Sequence, residues 1–129
     1  MANLQVSLVT PDREIWSGEA KFVLSRTTEG EIGVLPGHEP MLGLLSEGAV
    51  VNVEMLDGQR VIAAVHGGFM SVDSDRVTIL AELAELAADI DVTRAKAALA
   101  RARESQDAKA SAAARRAEAR LLAAGGLQH

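Results

Sequence analysis

Hydrophobic and polar residues alternate along the first two thirds of the chain. From Asn3 to about Leu86, apolar residues recur at close to every second position in short segments, for example at Leu4, Val6 and Leu8. A period of two predicts strands that bury one face. Asp57-Gly58 lies between two such runs, and this dipeptide favours a tight β-hairpin. Several short strands at this spacing predict a β-sandwich or flattened barrel.

Three further segments of this β-patterned part have features that predict local structure. The strand segments on either side of Ser17-Gly18 are expected to form a bent or bulged pair. Phe69–Val72 and Val77–Leu80 are expected to pair across Asp73-Ser74-Asp75. Ala81–Asp89 has no clear period and is interpreted as a transition of mixed character.

The pattern changes to a helical period at Asp91. Asp91 suits the N-cap of a helix running to about Ser105, because its carboxylate can accept from free backbone amides at the positive end of the helix dipole. After a break at Ser105-Gln106-Asp107, a second helix is predicted from about Asp107 to Ala124, with Gly125-Gly126 as its C-cap. The chain is therefore predicted to contain a β domain at residues 1–86 and an antiparallel two-helix hairpin at residues 87–129. Its apolar stripes comprise Val92, Ala95, Leu99 and Ala102, then Ala110, Ala114, Ala117 and Leu121.

The hairpin is rich in alanine and poor in large apolar residues. Of the 31 residues from Arg94 to Ala124, 14 are alanine, and the large apolar ones are Leu99, Leu121 and Leu122. Alanine gives high helix propensity but little surface to bury. A docking free energy of about a few kcal/mol is expected, which a ligand or partner can overcome. The alternative is a static, solvated helical appendage.

Charge is divided unevenly along the chain, whose net charge is −5. Residues 1–90 hold 5 basic and 14 acidic side chains, whereas residues 91–129 hold 8 basic and 4 acidic ones. The basic segment lacks aromatic residues for base stacking, which argues against nucleic acid as its partner. It suits an acidic protein surface instead.

Composition also argues against several chemical functions. The chain has no cysteine, no apolar run long enough to span a membrane and no signal-peptide pattern, which favours a reducing, cytosolic location. It has no G-x-S-x-G, P-loop or H-E-x-x-H motif, so catalysis by the chain alone is not expected. Trp16 and the two phenylalanines are interpreted as core or interface residues, and His66 as a partly buried, hydrogen-bonded imidazole.

The segment Thr28–Pro40, T-E-G-E-I-G-V-L-P-G-H-E-P, is the most distinctive in the chain and is called the Gly/Pro corner below. Its glycines and prolines predict turns on both sides of a short strand, which makes a rigid surface corner. Together with Gly67-Gly68-Phe69 and Ile90-Asp91-x-x-Arg94-Ala95, it resembles the signature of the epsilon subunit family of bacterial F-type ATP synthases. The resemblance extends over essentially the whole chain.

The resemblance implies a non-catalytic rotor subunit of a proton-translocating synthase. Its β-sandwich would couple the gamma subunit to the c-ring, and its C-terminal helices would extend into the alpha/beta catalytic head and inhibit ATP hydrolysis. The protein would be a monomer when isolated and peripheral on the cytoplasmic face of the bacterial plasma membrane. The implied gamma and c-ring contacts are Glu29, Glu31, His38 and Met41, and the implied inhibitory contacts are Arg101, Arg103, Arg115, Arg116 and Arg120.

The resemblance also implies ATP as a regulatory ligand, with no cofactor required. The implied ATP-binding residues are Glu85, Ile90, Asp91, Arg94, Ala95, Arg101, Arg116 and Arg120. The match on the second helix is loose, and Arg115 is an equally good candidate there. A helix N-cap followed by solvated arginines explains the same residues without a ligand. A stand-alone ATP-responsive binding module is the alternative function.

Overall fold

A computed structural model describes residues 3–104 and 108–125 of the chain. Seven strands precede a short 3-10 helix and two α-helices, so the predicted fold class is confirmed. The strands are β1 (Leu4–Thr10), β2 (Arg13–Thr27), β3 (Gly30–Val34), β4 (Met41–Leu44), β5 (Ala49–Met55), β6 (Arg60–Asp73) and β7 (Arg76–Leu86). The helices are the 3-10 turn Ala87–Asp89, α1 (Val92–Arg103) and α2 (Ala108–Ala124).

The strands form a closed, flattened barrel. Their order is β1-β7-β6-β5-β2-β3, and an additional pairing of β1 with β2 closes the ring, while β4 pairs with β6. β1 runs parallel to β7, and the other strand pairs are antiparallel. The predicted turn at Asp57-Gly58 joins β5 to β6. The side chains that fill the core alternate along the strands and include Leu4, Val23, Val51, Val65, Met70, Val72, Val77 and Ile79.

Three strands are longer than the sequence pattern predicts. β2 continues through Ser17-Gly18 for 15 residues, and its pairing shifts register on both sides of this point. β6 and β7 pair in one register from Ala63↔Leu86 to Asp73↔Arg76, with a single gap at Gly67. The interpretation of Ala81–Asp89 as a transition is therefore wrong for Ala81–Leu86, which is strand. The period is lost there because the core-facing phase changes, from Ala81 to Ala84 and Leu86.

The two helices follow the sequence prediction closely. Asp91 is the N-cap of α1, and its carboxylate accepts a hydrogen bond from the Arg94 amide at 3.0 Å. The buried residues of α1 are Ala95, Leu99 and Ala102, which belong to the predicted apolar stripe, whereas its fourth member, Val92, is 40% exposed. At the end of α2, the Gly125 amide donates to the Leu121 carbonyl. The predicted break at Ser105-Gln106-Asp107 and the cap residue Gly126 lie outside the described residues. In the described part of the chain, neither helix is long and apolar enough to cross a bilayer.

Candidate functional site: the interface between the hairpin and the β domain

The hairpin packs against the β domain through small side chains. Ala64 of β6 and Ala119 and Ala123 of α2 are each at most 3% exposed and form one buried cluster. The partly buried residues around this cluster are Val50, Ile62 and Ile90. These six residues are called the alanine seat below. Because three of the six are alanine, the apolar area that stabilises the docked hairpin is small.

A glycine lets α2 approach the β domain closely. Gly48, just before β5, has a positive φ of +72°. A β-carbon at this position would lie 2.4 Å from the backbone oxygen of Arg115 in α2. The helix backbone therefore rests directly on Gly48, and any side chain there would displace it.

Two ion pairs flank the alanine seat. Arg116 of α2 donates to Glu47 at 2.9 Å, and Nε of Arg120 donates to Glu85 of β7. Both pairs are partly exposed, with side-chain exposures between 24% and 35%. Pairs of this kind contribute about 0.2–1 kcal/mol each and are weakened by salt.

The interpretation of His66 as a partly buried, hydrogen-bonded residue is wrong. Its side chain is 2% exposed, and neither ring nitrogen has a hydrogen-bond partner among the described residues. Burial, with the Arg120 charge next in size, lowers the pKa of His66 to about 4. The imidazole is therefore neutral at physiological pH.

A cavity of about 470 Å³ lies at the start of α1. Six of the predicted ATP-binding residues line it, and it is bounded by three carboxylates and three guanidinium groups. The remaining two predicted residues lie elsewhere: Ile90 is part of the alanine seat, and Arg116 pairs with Glu47. The lining comprises Glu85, Asp89, Asp91, Arg94, Ala95, Ala98, Arg101 and Arg120.

The arginines predicted to contact catalytic subunits are distributed over both helices. Arg116 and Arg120 are held by the β domain, as described above. Arg103 pairs with Glu118 across the hairpin at 3.5 Å. Arg101 and Arg115 are exposed. In this conformation the five side chains do not form one surface, because two of them face the β domain.

The Gly/Pro corner lies on the surface of the β domain. Glu29 and Glu31 are exposed on the β2–β3 hairpin. The corner is fixed to the β6–β7 turn by a hydrogen bond of 2.7 Å from the Gly37 amide to Asp75. The ring Nδ1 of His38, which is half-buried, lies 2.7 Å from the Glu39 carbonyl oxygen. Met41 is also half-buried and packs against the main core.

A row of apolar side chains crosses four adjacent strands, and sequence reasoning did not identify it. Leu44 pairs with Phe69, Phe69 with Leu80, and Leu80 with Val9. Directly paired residues project to the same side of a sheet. Leu44, Phe69 and Leu80 are 52%, 43% and 49% exposed. Contiguous exposed apolar side chains of this kind mark an interaction surface. These four residues are called the apolar row below.

The sequence signal for this row is ambiguous, because Phe69 is in phase with the core residue Val65 and out of phase with Met70 and Val72. In β6, Met70 and Val72 face the core. Phe69 is out of phase with these two residues and therefore projects outwards. The described residues contain no cluster of side chains that could hold a metal ion.

Comparisons with known proteins agree with this architecture. Residues 3–87 match the family model described as ATP synthase, Delta/Epsilon chain, beta-sandwich domain. The chain is 56% identical over 115 residues to the ATP synthase epsilon chain of Rhodococcus opacus, covering 89% of this chain and 94% of that one. It is 54% identical over 122 residues to the ATP synthase epsilon chain of Streptomyces griseus, covering 95% of each.

Solved structures resemble the whole chain, including the helices. A chain in the Euglena gracilis mitochondrial ATP synthase, in its OSCP/F1/c-ring assembly, matches with a TM-score of 0.83 at 28% identity, covering 99% of this chain and 83% of that chain. A chain in the central stalk and c-ring of the Tetrahymena thermophila mitochondrial ATP synthase matches with a TM-score of 0.62. At 15% identity, this second match shows only that the two chains share a fold. By its β-domain family model and its similarity to bacterial relatives over nearly the full length, the chain belongs to the family of ATP synthase epsilon chains.

Proposed function

We propose that this chain is a rotor subunit that couples the gamma subunit to the c-ring of a proton-translocating ATP synthase. The apolar row supports this, because an exposed apolar surface on a rigid barrel suits a permanent protein partner, and gamma is the partner we assign to it. His38, which lies within the Gly/Pro corner, would extend this contact. Glu29 and Glu31 would contact the polar loops of the c-ring.

We further propose that the hairpin inhibits ATP hydrolysis when it leaves the β domain. The observation that carries this proposal is the alanine seat, which docks the hairpin through a small apolar area and two partly exposed ion pairs. Alanine-rich helices keep their structure after release, since their propensity does not depend on packing. Release would free Arg116 and Arg120 to join Arg101, Arg103 and Arg115 against acidic surfaces of the catalytic head.

ATP would act as a regulatory ligand that holds the hairpin in the docked position. The cavity at the start of α1 is bounded by both helices and by β7, so a ligand there would bridge the hairpin to the β domain. Arg94 and Arg101 would donate to phosphate oxygens. Asp91 and Glu85 would accept from the adenine amino group. The second candidate function, a stand-alone ATP-responsive module, is favoured by the same cavity.

Removing the chain after Ala88 tests the inhibitory role. The complex assembled with this truncated chain is expected to keep ATP synthesis and to hydrolyse ATP faster than the complex with the full chain. The β domain retains its core, because every residue of the main core cluster precedes Ala88. Unchanged hydrolysis would contradict the inhibitory role.

Calorimetry of the isolated chain with ATP tests the ligand. Binding is expected for the natural chain and is expected to be weakened by Arg94→Ala, because Arg94 lines the cavity. Arg103→Ala is the matched control, since Arg103 pairs with Glu118 outside this cavity. If millimolar ATP produces no heat of binding, ATP is not a ligand of the isolated chain, and the hairpin acts through protein contacts only.

Purification from the native membrane separates the rotor subunit from the stand-alone module. We expect the chain to be peripheral on the cytoplasmic face, held there through other subunits, and to co-purify with gamma and the catalytic subunits. It contributes no catalytic group of its own in this proposal. Recovery of the chain free of these subunits would favour the stand-alone module.

A further inference from the structure

His66 lies on the face of the β domain that α2 covers. Residues two apart in a strand project to the same side, so His66 shares its face with Ala64. Ala64 packs against Ala119 and Ala123 of α2. The imidazole is 2% exposed, and its two ring nitrogens lack partners among the described residues. A buried polar group without a partner destabilises the docked state, and more so if it carries a charge.

Four charged groups on three parts of the chain lie close enough to His66 to shift its pKa. Arg116 and Arg120 come from α2, Glu47 precedes β5, and Glu85 comes from β7. These four groups form two ion pairs, Arg116 with Glu47 and Arg120 with Glu85. Their effects on the imidazole are therefore opposed. Burial is the largest cause of the lowered pKa of His66, followed by Arg120.

Both of the groups that disfavour a charged imidazole by repulsion belong to α2. Release of the hairpin would remove Arg116 and Arg120 and would open the face of His66 to water. Glu47 and Glu85 would stay on the β domain, where they favour the imidazolium. The released state therefore binds a proton at His66 much more readily than the docked state.

We propose that His66 is a pH-sensitive latch: its neutral form permits the hairpin to dock, and its protonation weakens docking and favours release. The inference rests on the proposed function in one respect, the existence of a released hairpin. It adds the signal that controls release, which is acidification of the surrounding compartment.

The direction of the pH effect follows from the two protonation equilibria. The pKa of His66 is about 4 in the docked state, whereas an exposed histidine titrates near 6.5. The stabilisation of docking is thus complete above about pH 6.5 and is lost as the pH falls toward 4. With these values, the docking equilibrium at pH 5.5 is about tenfold weaker than at pH 8.

Distance measurement in the isolated full chain tests the latch. The chain has no cysteine, so Ser17→Cys on β2 and Ser111→Cys on α2, both exposed positions, accept a donor and an acceptor dye. The ionic strength is first raised until docking at pH 8 is incomplete, because a tenfold change in the docking equilibrium is visible only there. Under this condition we expect energy transfer to fall reversibly between pH 8 and pH 5.5. Circular dichroism over the same range checks that the β domain stays folded. Constant energy transfer over this range would overturn the proposal.

Two neutral variants and a matched control assign the effect to His66. His66→Leu removes the titrating group at similar volume, and His66→Gln provides a second neutral variant. Both are expected to stay docked at pH 5.5. The double variant His38→Gln/His129→Gln leaves His66 as the sole histidine and is expected to keep the full response. Acid release with an unchanged midpoint in both His66 variants would overturn the proposal.

The experiment also separates this inference from the inhibitory role of the hairpin. Energy transfer in the isolated chain needs no catalytic subunit. Acid release in that assay, combined with unchanged hydrolysis by the complex lacking residues after Ala88, would leave the latch standing and contradict the inhibitory role. If docking is independent of pH and truncation speeds hydrolysis, the inhibitory role would stand and the latch would be contradicted.

Discussion

The backbone oxygen of Arg115 lies 2.4 Å from the position that a β-carbon on Gly48 would occupy. Heavy atoms of a helix and a side chain cannot coexist at that distance, so the docked position of α2 requires a glycine there. The contact is between two backbones and does not depend on any charged or titrating group. It therefore offers a way to displace the hairpin without changing its own sequence.

Replacing this glycine should release the hairpin. Gly48→Ala is expected to lower energy transfer between labels on Ser17→Cys and Ser111→Cys, because α2 can no longer reach the alanine seat. Gly58→Ala is the matched control: Gly58 has a similar φ of +88°, but a β-carbon added there would meet no atom within 4 Å. Both variants carry backbone strain of about 1 kcal/mol. Equal energy transfer in the two variants would mean that Gly48 does not control docking.

Salt should weaken docking through the two ion pairs. Raising the ionic strength shortens the screening length, and the pairs Arg116–Glu47 and Arg120–Glu85 are partly exposed. Arg116→Gln and Arg120→Gln should each weaken docking by about 0.2–1 kcal/mol, and the double variant should lose the salt response. Arg103→Gln removes an ion pair within the hairpin, so this variant should keep the salt response of docking. A salt response that survives in the double variant would contradict this assignment.

Two substitutions at one position separate the cap from the ligand. Asp91→Ala should destabilise α1 by about 1 kcal/mol, measured by amide exchange in its first turn, because the bond to the Arg94 amide is lost. Asp91→Ser keeps a capping oxygen and should preserve the helix. If Asp91 also contacts ATP, Asp91→Ser should reduce ATP affinity in calorimetry. Equal affinity in Asp91→Ser and the natural chain would assign Asp91 to capping alone.

The apolar row should be needed for assembly rather than for folding. Phe69→Ser and Leu80→Ser are expected to weaken reconstitution with gamma, because they remove apolar area from the proposed contact. The isolated chain should stay folded and lose about 1–2 kcal/mol of stability, since each residue is about half exposed. Leu56→Ser, at a 46% exposed leucine outside the row, is the control. Unfolding of the two variants, or equal assembly in all three, would contradict the assignment.

The architecture could be predicted because its signals are local. Alternating residues along β1, the Asp57-Gly58 turn and the Asp91 cap each act within a few residues. The prediction failed at Ala81–Leu86, where a long strand changes the face that it buries. A change of face breaks the period on which strand prediction depends.

The candidate site could be predicted only in part, since it is assembled by long-range packing. Six residues of the cavity were identified through the resemblance. The burial of His66 was not, because it depends on α2 arriving from another part of the chain. The role of Gly48 was not identified either, because it depends on the Arg115 backbone that lies above it. The apolar row was also missed, because the neighbours of Phe69 in this row come from three other strands.

The most direct test of the central claim is the rate of ATP hydrolysis by complexes assembled with three forms of this chain. The complex that carries Gly48→Ala, in which an intact hairpin is released, should hydrolyse ATP more slowly than the complex with the natural chain. The complex with the chain that ends at Ala88 should hydrolyse ATP faster. The complex with Gly58→Ala should have the same hydrolysis rate as the complex with the natural chain. An increase in hydrolysis with Gly48→Ala, as large as that caused by truncation, would contradict the claim that the released hairpin is the inhibitor.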